Sequence, residues 1–139
     1  MSVELRIAAR PENVALARLA LTGVAAVAQA SAADVADLKL AVSEVCTNAV
    51  QHAYPAGGAI DEWIVVRYSV GDGALTVEVE DTGVGFDPAN VQSASQRPTD
   101  AEGGMGLSIL RAVTDELEID SGTSGSRVVF SKRLPADGL

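Results

Sequence analysis

Three short blocks constrain this chain more than anything else in it, because of their order and what each does to the backbone. EVCTNAVQHAYPA, from Glu44 to Ala56, is followed by DTGVG, from Asp81 to Gly85, and then by GGMGL, from Gly103 to Leu107. The first is a helical stretch with polar residues at regular spacing. The second ends a strand in an acid and a glycine turn, and the third is a glycine turn opening another helix.

Around these blocks the pattern reads as alternating elements. Val3 to Ala9 alternates as a strand and stops at Arg10-Pro11. From Pro11 the period becomes helical, with Val14, Leu16, Leu19, Val24 and Val27 marking a helix over about 12–29. Asp34 is an N-cap or first-turn acid for a second helix reaching His52 or Ala53, whose core stripe is Leu38, Val42, Val45 and Ala49. A turn at 54–58 precedes a strand over 63–70. Gly71-Asp72-Gly73 then turns it into a second strand, 75–81. The stretch 88–104 is polar and too long for an ordinary connection, which marks a functional loop. A helix over 105–114 and two strands near 116–121 and 126–133, joined by SGTSG, complete the order. Strands and helices in that order predict an α/β two-layer sandwich, a mixed, mostly antiparallel sheet covered on one face by three helices. At 139 residues the chain is expected to be a single domain, 1–139, with a core large enough to need no disulfide or metal.

Charge narrows the partners. Ten basic against nineteen acidic residues leave a net charge of −9, which repels phosphate backbones and anionic lipid, so no direct nucleic-acid or membrane contact is expected, and a basic protein surface is the favoured partner. No apolar run is long enough to span a bilayer, and the charged N-terminus does not read as a targeting segment, so a cytoplasmic location is expected. The single cysteine, Cys46, lies in an apolar helical stretch and reads as a small buried hydrophobe.

The polar residues carry the chemistry. Glu44, Asn48 and His52 recur at i, i+4 and i+8, which aligns them on one helix face away from the core stripe. A carboxylate beside a carboxamide suits a hydrated Mg²⁺, although a solvated helix face has the same pattern, and His52 alone reads as a helix C-terminal residue. Asp81, at a strand end, can accept a hydrogen bond from an exocyclic amine, while Gly83 and Gly85 let a flat ring approach the backbone; a plain acidic turn is the structural alternative. Gly103, Gly104 and Gly106 present free amides at the start of a helix, which suits phosphate, but without the lysine of a P-loop.

Taken together, the blocks resemble the GHKL ATPase superfamily and its Bergerat ATP-binding fold. SEVCTNAVQHA resembles the N box, DTGVGFDP the first glycine box and GGMGLSIL the second, and the likeness runs over residues 3–133. Within the superfamily the chain is most similar to bacterial anti-sigma factor serine/threonine kinases. That resemblance implies ATP and Mg²⁺ as cofactors, Glu44 as the base for a serine or threonine hydroxyl, and Asn48 as the metal ligand. It implies nucleotide contacts from His52, Asp81, Gly83, Gly85, Gly103, Gly104, Met105, Gly106 and Leu107, a lid over about 88–104, and a phosphate or water contact by Ser126. Arg18 would face the partner proteins. Those are a sigma factor and a STAS-type anti-anti-sigma protein, and a homodimer is the family expectation.

Some residues depart from the family pattern. Glu102 stands where a lid arginine or lysine would help hold phosphate, Ser126 follows Gly125 where relatives often carry threonine, and no phosphoacceptor-histidine helix precedes the motifs. The acidic lid and the net charge motivate an alternative, a binding module that sequesters a regulator without phosphoryl transfer. A detached ATPase domain of a two-component kinase is a third reading.

Overall fold

Alternation from the N-terminus is realised as β1, Ser2–Ala8, and the proline after it opens a 3₁₀ turn, Pro11–Asn13, that leads into α1, Val14–Val27. The structure, a computed structural model, describes residues 1–53, 62–82, 108–122 and 125–135. Its second helix, α2, spans Ala32–Asn48 and continues as a π-helical turn over Ala49–Ala53, so the expected helical reach is met but its last turn is wider than an α-helix. Ser31 is the N-cap, its Oγ accepting from the Asp34 amide at 3.1 Å, which leaves Asp34 as the first-turn acid. Then follow β2, Trp63–Gly71, and β3, Ala74–Asp81, a helix α3 described over 108–113, β4, Glu116–Gly122, and β5, Gly125–Arg133.

The strands form one sheet in the order β1-β2-β3-β5-β4, and all four pairings are antiparallel, so the expected mixed, mostly antiparallel sheet resolves to an antiparallel one among the described strands. The β2–β3 hairpin closes on a two-residue loop with Gly71 opposite Ala74. Asp72 and Gly73 both take positive φ, 53° and 74°, the primed turn whose twist matches the strands it joins.

One face of the sheet packs against the helices. The stripe Leu38, Val42, Val45 and Ala49 is buried as its spacing predicts, over Ile64, Val66, Tyr68, Leu75, Val77 and Phe130 from the strands. Tyr68 is wholly buried, and its hydroxyl donates to the Ala17 carbonyl at 2.7 Å, which satisfies the one polar atom it brings inside and ties β2 to α1. Helix α1 buries Val14, Ala17, Leu21, Val24 and Ala25. Leu16, Leu19 and Val27, which help to mark that helix in the sequence, point outward and are exposed. Cys46 is buried, as expected, and burial pushes its thiol up to about 12, so it stays protonated and inert at neutral pH.

The other sheet face carries charge. Arg67 of β2 donates to Glu4 at 2.8 Å, to Glu78 at 2.5 Å and to Glu80 at 2.9 Å, and Arg127 of β5 reaches Glu78 at 2.7 Å. Each exposed pair contributes little on its own. Their joint effect is a face whose acids on β1 and β3 are neutralised in place.

Candidate nucleotide site

Helix α2 delivers two of the expected residues. Glu44 and Asn48 stand one helical turn apart and are both half-buried, beside a stripe that is fully buried. The i, i+4 spacing makes them neighbours on the helix surface. His52 lies in the π-helical turn, where the α-helical spacing that aligned it with Glu44 and Asn48 no longer applies to the backbone. π turns are frequent at functional sites, and this one begins at the residue after Asn48.

Strand β3 delivers the third. Asp81 is its last residue, on the helix-facing side of the sheet, and only 4 % exposed. Strand β5 runs beside it with Ser126 directly opposite, 6 % exposed, and the Ser126 hydroxyl donates to Asp81 Oδ2. A buried carboxylate keeps its charge only where donors surround it. The Ser126 hydroxyl is thus held against the Asp81 carboxylate across the β3–β5 ladder.

Gly125 makes the approach of the two strands feasible. It has φ +131°, and a Cβ there would lie 2.2 Å from the Asp81 carbonyl oxygen. Only glycine satisfies both conditions.

A further group ties the helices to the sheet. Lys132 of β5 points inward, its Nζ 2.9 Å from Asp37 of α2, and it donates to the Val113 carbonyl at the end of α3 at 3.1 Å. The Asp37 carboxylate holds the Lys132 ammonium above the ordinary lysine range. Sequence reasoning passed over this residue, yet a signal was present: inward positions of β5 are Ser126, Val128, Phe130 and Lys132, and a polar residue interrupting an apolar alternation implies a partner beneath it.

Arg18 is exposed on α1, and its Nη1 lies 3.3 Å from the Ser43 hydroxyl, next to Glu44 in the chain. Gly83, Gly85, Gly103, Gly104, Met105, Gly106, Leu107 and the lid over 88–104 lie outside the described residues, as does Glu102. Among the described residues no three His, Cys, Asp or Glu side chains cluster to hold a metal, and no helix is long and apolar enough to cross a membrane.

This arrangement has known counterparts. Residues 7–132 match the family described as the histidine kinase-like ATPase domain. The chain is 39 % identical over 144 residues to the serine-protein kinase RsbW of Bacillus licheniformis, covering 97 % of this chain and 89 % of that protein. With the serine-protein kinase RsbW of Listeria innocua the identity is 37 % over 144 residues, covering 95 % and 87 %. Among solved structures, that of the RsbU and RsbW domains of Rv1364c from Mycobacterium tuberculosis matches with a TM-score of 0.73 over 96 % of this chain, at 24 % identity. The chain spans 32 % of that longer protein, and the likeness there is one of fold. The chain therefore belongs to the histidine kinase-like ATPase family and, with its curated relatives, to the RsbW serine-protein kinases: it is a protein serine/threonine kinase that uses ATP.

Proposed function

We propose that this kinase, a single domain over residues 1–139, is the anti-sigma factor of a cytoplasmic partner switch. It sequesters a sigma factor and phosphorylates a STAS-type anti-anti-sigma protein on serine or threonine, acting as a homodimer. The observation that carries the reading is the pairing of half-buried Glu44 and Asn48 on α2 with a buried Asp81 fixed by Ser126 at the end of β3.

In this reading Asp81 accepts from the adenine amine, and Ser126 holds its carboxylate in line. Gly83 and Gly85 flank the base, and Gly103, Gly104, Met105, Gly106 and Leu107 lie along the phosphates beneath the 88–104 lid, with His52 beside them. Glu44 takes the proton from the acceptor hydroxyl, a step that needs the carboxylate within hydrogen-bond reach of that hydroxyl and so accessible to the incoming substrate. Its half-exposure suits that task. Asn48 would hold Mg²⁺. One hard oxygen donor on a helix, with no three-residue acidic or histidine cluster around it among the described residues, fits an ion that takes few protein ligands and completes its shell with phosphate and water. When bound, the ion supplies charge neutralisation for phosphoryl transfer. Arg18, exposed beside Ser43, faces the protein partner.

The test is incubation of the protein with Mg-ATP and its cognate STAS partner. Phosphoserine or phosphothreonine should appear on the partner and vanish with Glu44→Ala, while sigma-factor binding persists. Equal phosphorylation by wild type and Glu44→Ala would remove Glu44 from the base role. No phosphorylation by either would leave only sequestration.

A further inference from the structure

The outward acids of this sheet fall into two groups. Glu4, Glu78 and Glu80 are all bonded to Arg67, Glu78 also to Arg127. Glu116, Glu118 and Asp120 are exposed and carry no ion pair among the described residues. They share one face of β4, at i, i+2 and i+4, and β4 ends the sheet, with no described strand beyond it. Leu117 and Ile119 alternate with them on the helix-facing side, opposite Phe130 and Val128, and are only partly covered. Beside these two is an open cavity of about 450 Å³, bounded by Arg111 and Thr114 of the α3 end and by Asp115.

We propose that the edge of β4, unpaired among the described strands, is a docking strip for an extended, basic segment of a partner protein. The segment adds as a sixth strand. Its lysines or arginines lie over Glu116, Glu118 and Asp120, and its alternate apolar side chains enter the cavity against Leu117 and Ile119. The pleat dictates this combination: side chains of an added strand alternate between the two faces in step with β4, so a basic-apolar alternation matches Glu-Leu-Glu-Ile-Asp position by position. Charges along an edge also discourage self-pairing. That role accounts for the acids but not for the half-covered apolar floor behind them. A second copy of this chain is a poor occupant, since its own β4 would bring three more acids to the same face.

The probe is a capped seven-residue peptide of alternating lysine and valine, titrated calorimetrically into the full chain at low salt. Binding should weaken at least tenfold in the double variant Glu116→Gln, Glu118→Gln. It should change less than threefold in Glu12→Gln, Asp72→Asn, which removes the same charge from exposed positions elsewhere. N-methylation of alternate peptide amides, which blocks strand pairing on one edge or the other, should weaken binding to the unaltered protein at least tenfold in one of the two methylation registers. Absence of binding, equal losses in the two double variants, or indifference to both N-methylated peptides would each overturn the proposal.

Discussion

The hydroxyl of Ser126 donates to the buried carboxylate of Asp81 across the β3–β5 ladder, so the second residue of one strand fixes the last side chain of another. Charge-assisted hydrogen bonds in buried places contribute more than neutral ones. Ser126→Ala should therefore weaken adenine-nucleotide binding by ~1–2 kcal/mol, while Ser126→Thr keeps the hydroxyl and should stay near wild type. Asp81→Asn should weaken binding by ~1–3 kcal/mol with little change in fold stability. Calorimetric titration of Mg-ATP and Mg-ADP reads all three, and an unaffected Ser126→Ala protein would detach Ser126 from the adenine site.

Two glycines offer an internal comparison. At Gly125 a methyl group would meet the Asp81 carbonyl oxygen at 2.2 Å in a backbone conformation that side chains avoid, whereas at Gly23, in the exposed face of α1, nothing lies within 4 Å. Gly125→Ala should cost ~1–3 kcal/mol or more of stability, with nucleotide affinity falling alongside. Gly23→Ala should instead stabilise by ~0.5–1 kcal/mol, because alanine removes the entropic cost of glycine in a helix. Urea denaturation of both proteins separates the two, and a neutral Gly125→Ala would mean that the β3–β5 junction yields easily.

Cys46 gives the fold an alkaline limit. Its thiol is pushed from the ordinary value of 9.0 up to about 12 by burial, so the folded state retains a proton that the unfolded chain releases. The sign follows: this contribution to stability is complete below about pH 9 and is lost as pH rises toward 12. Melting temperatures between pH 7 and 10.5 should fall less steeply for Cys46→Ala than for wild type, even though the variant starts lower because of the cavity it creates. Parallel curves would mean that the thiol is solvated on some accessible timescale.

Most of the scaffold is legible in the chain because periodicity reports it directly: the stripe Leu38, Val42, Val45, Ala49 and the Asp72-Gly73 turn stand where their pattern puts them. What the pattern leaves open shares a cause. Leu16, Leu19 and Val27 signal helix as well as Leu21 and Val24 do, but helical spacing does not say which apolar face meets the sheet when alanines fill the remainder. Asp34 reads as an N-cap or a first-turn acid, and only the hydrogen bond from its amide to the Ser31 hydroxyl decides for the second. At the site, Asp81 and Ser126 were each visible, but their contact depends on strand register over 45 residues of separation, which local pattern does not encode.

Lys132 tests how firmly the helices are pinned to the sheet. Its side chain is 15 % exposed and its ammonium joins Asp37 and the Val113 carbonyl, whereas Asp37 is 39 % exposed and can turn to water. Lys132→Met strands a carbonyl at the end of α3 and an acid on α2, so it should cost ~1.5–3 kcal/mol, whereas Asp37→Asn should cost ~1 kcal/mol or less. A double-mutant cycle should show coupling of at least ~0.5 kcal/mol, measured by urea denaturation near pH 8. Since Asp37 raises the folded-state pKa of Lys132, the stabilisation is complete below the ordinary lysine value of 10.5 and fades as pH climbs through the higher folded value. Equal costs for the two single variants would mean that the Asp37 ion pair, rather than the Val113 carbonyl, dominates what Lys132 does.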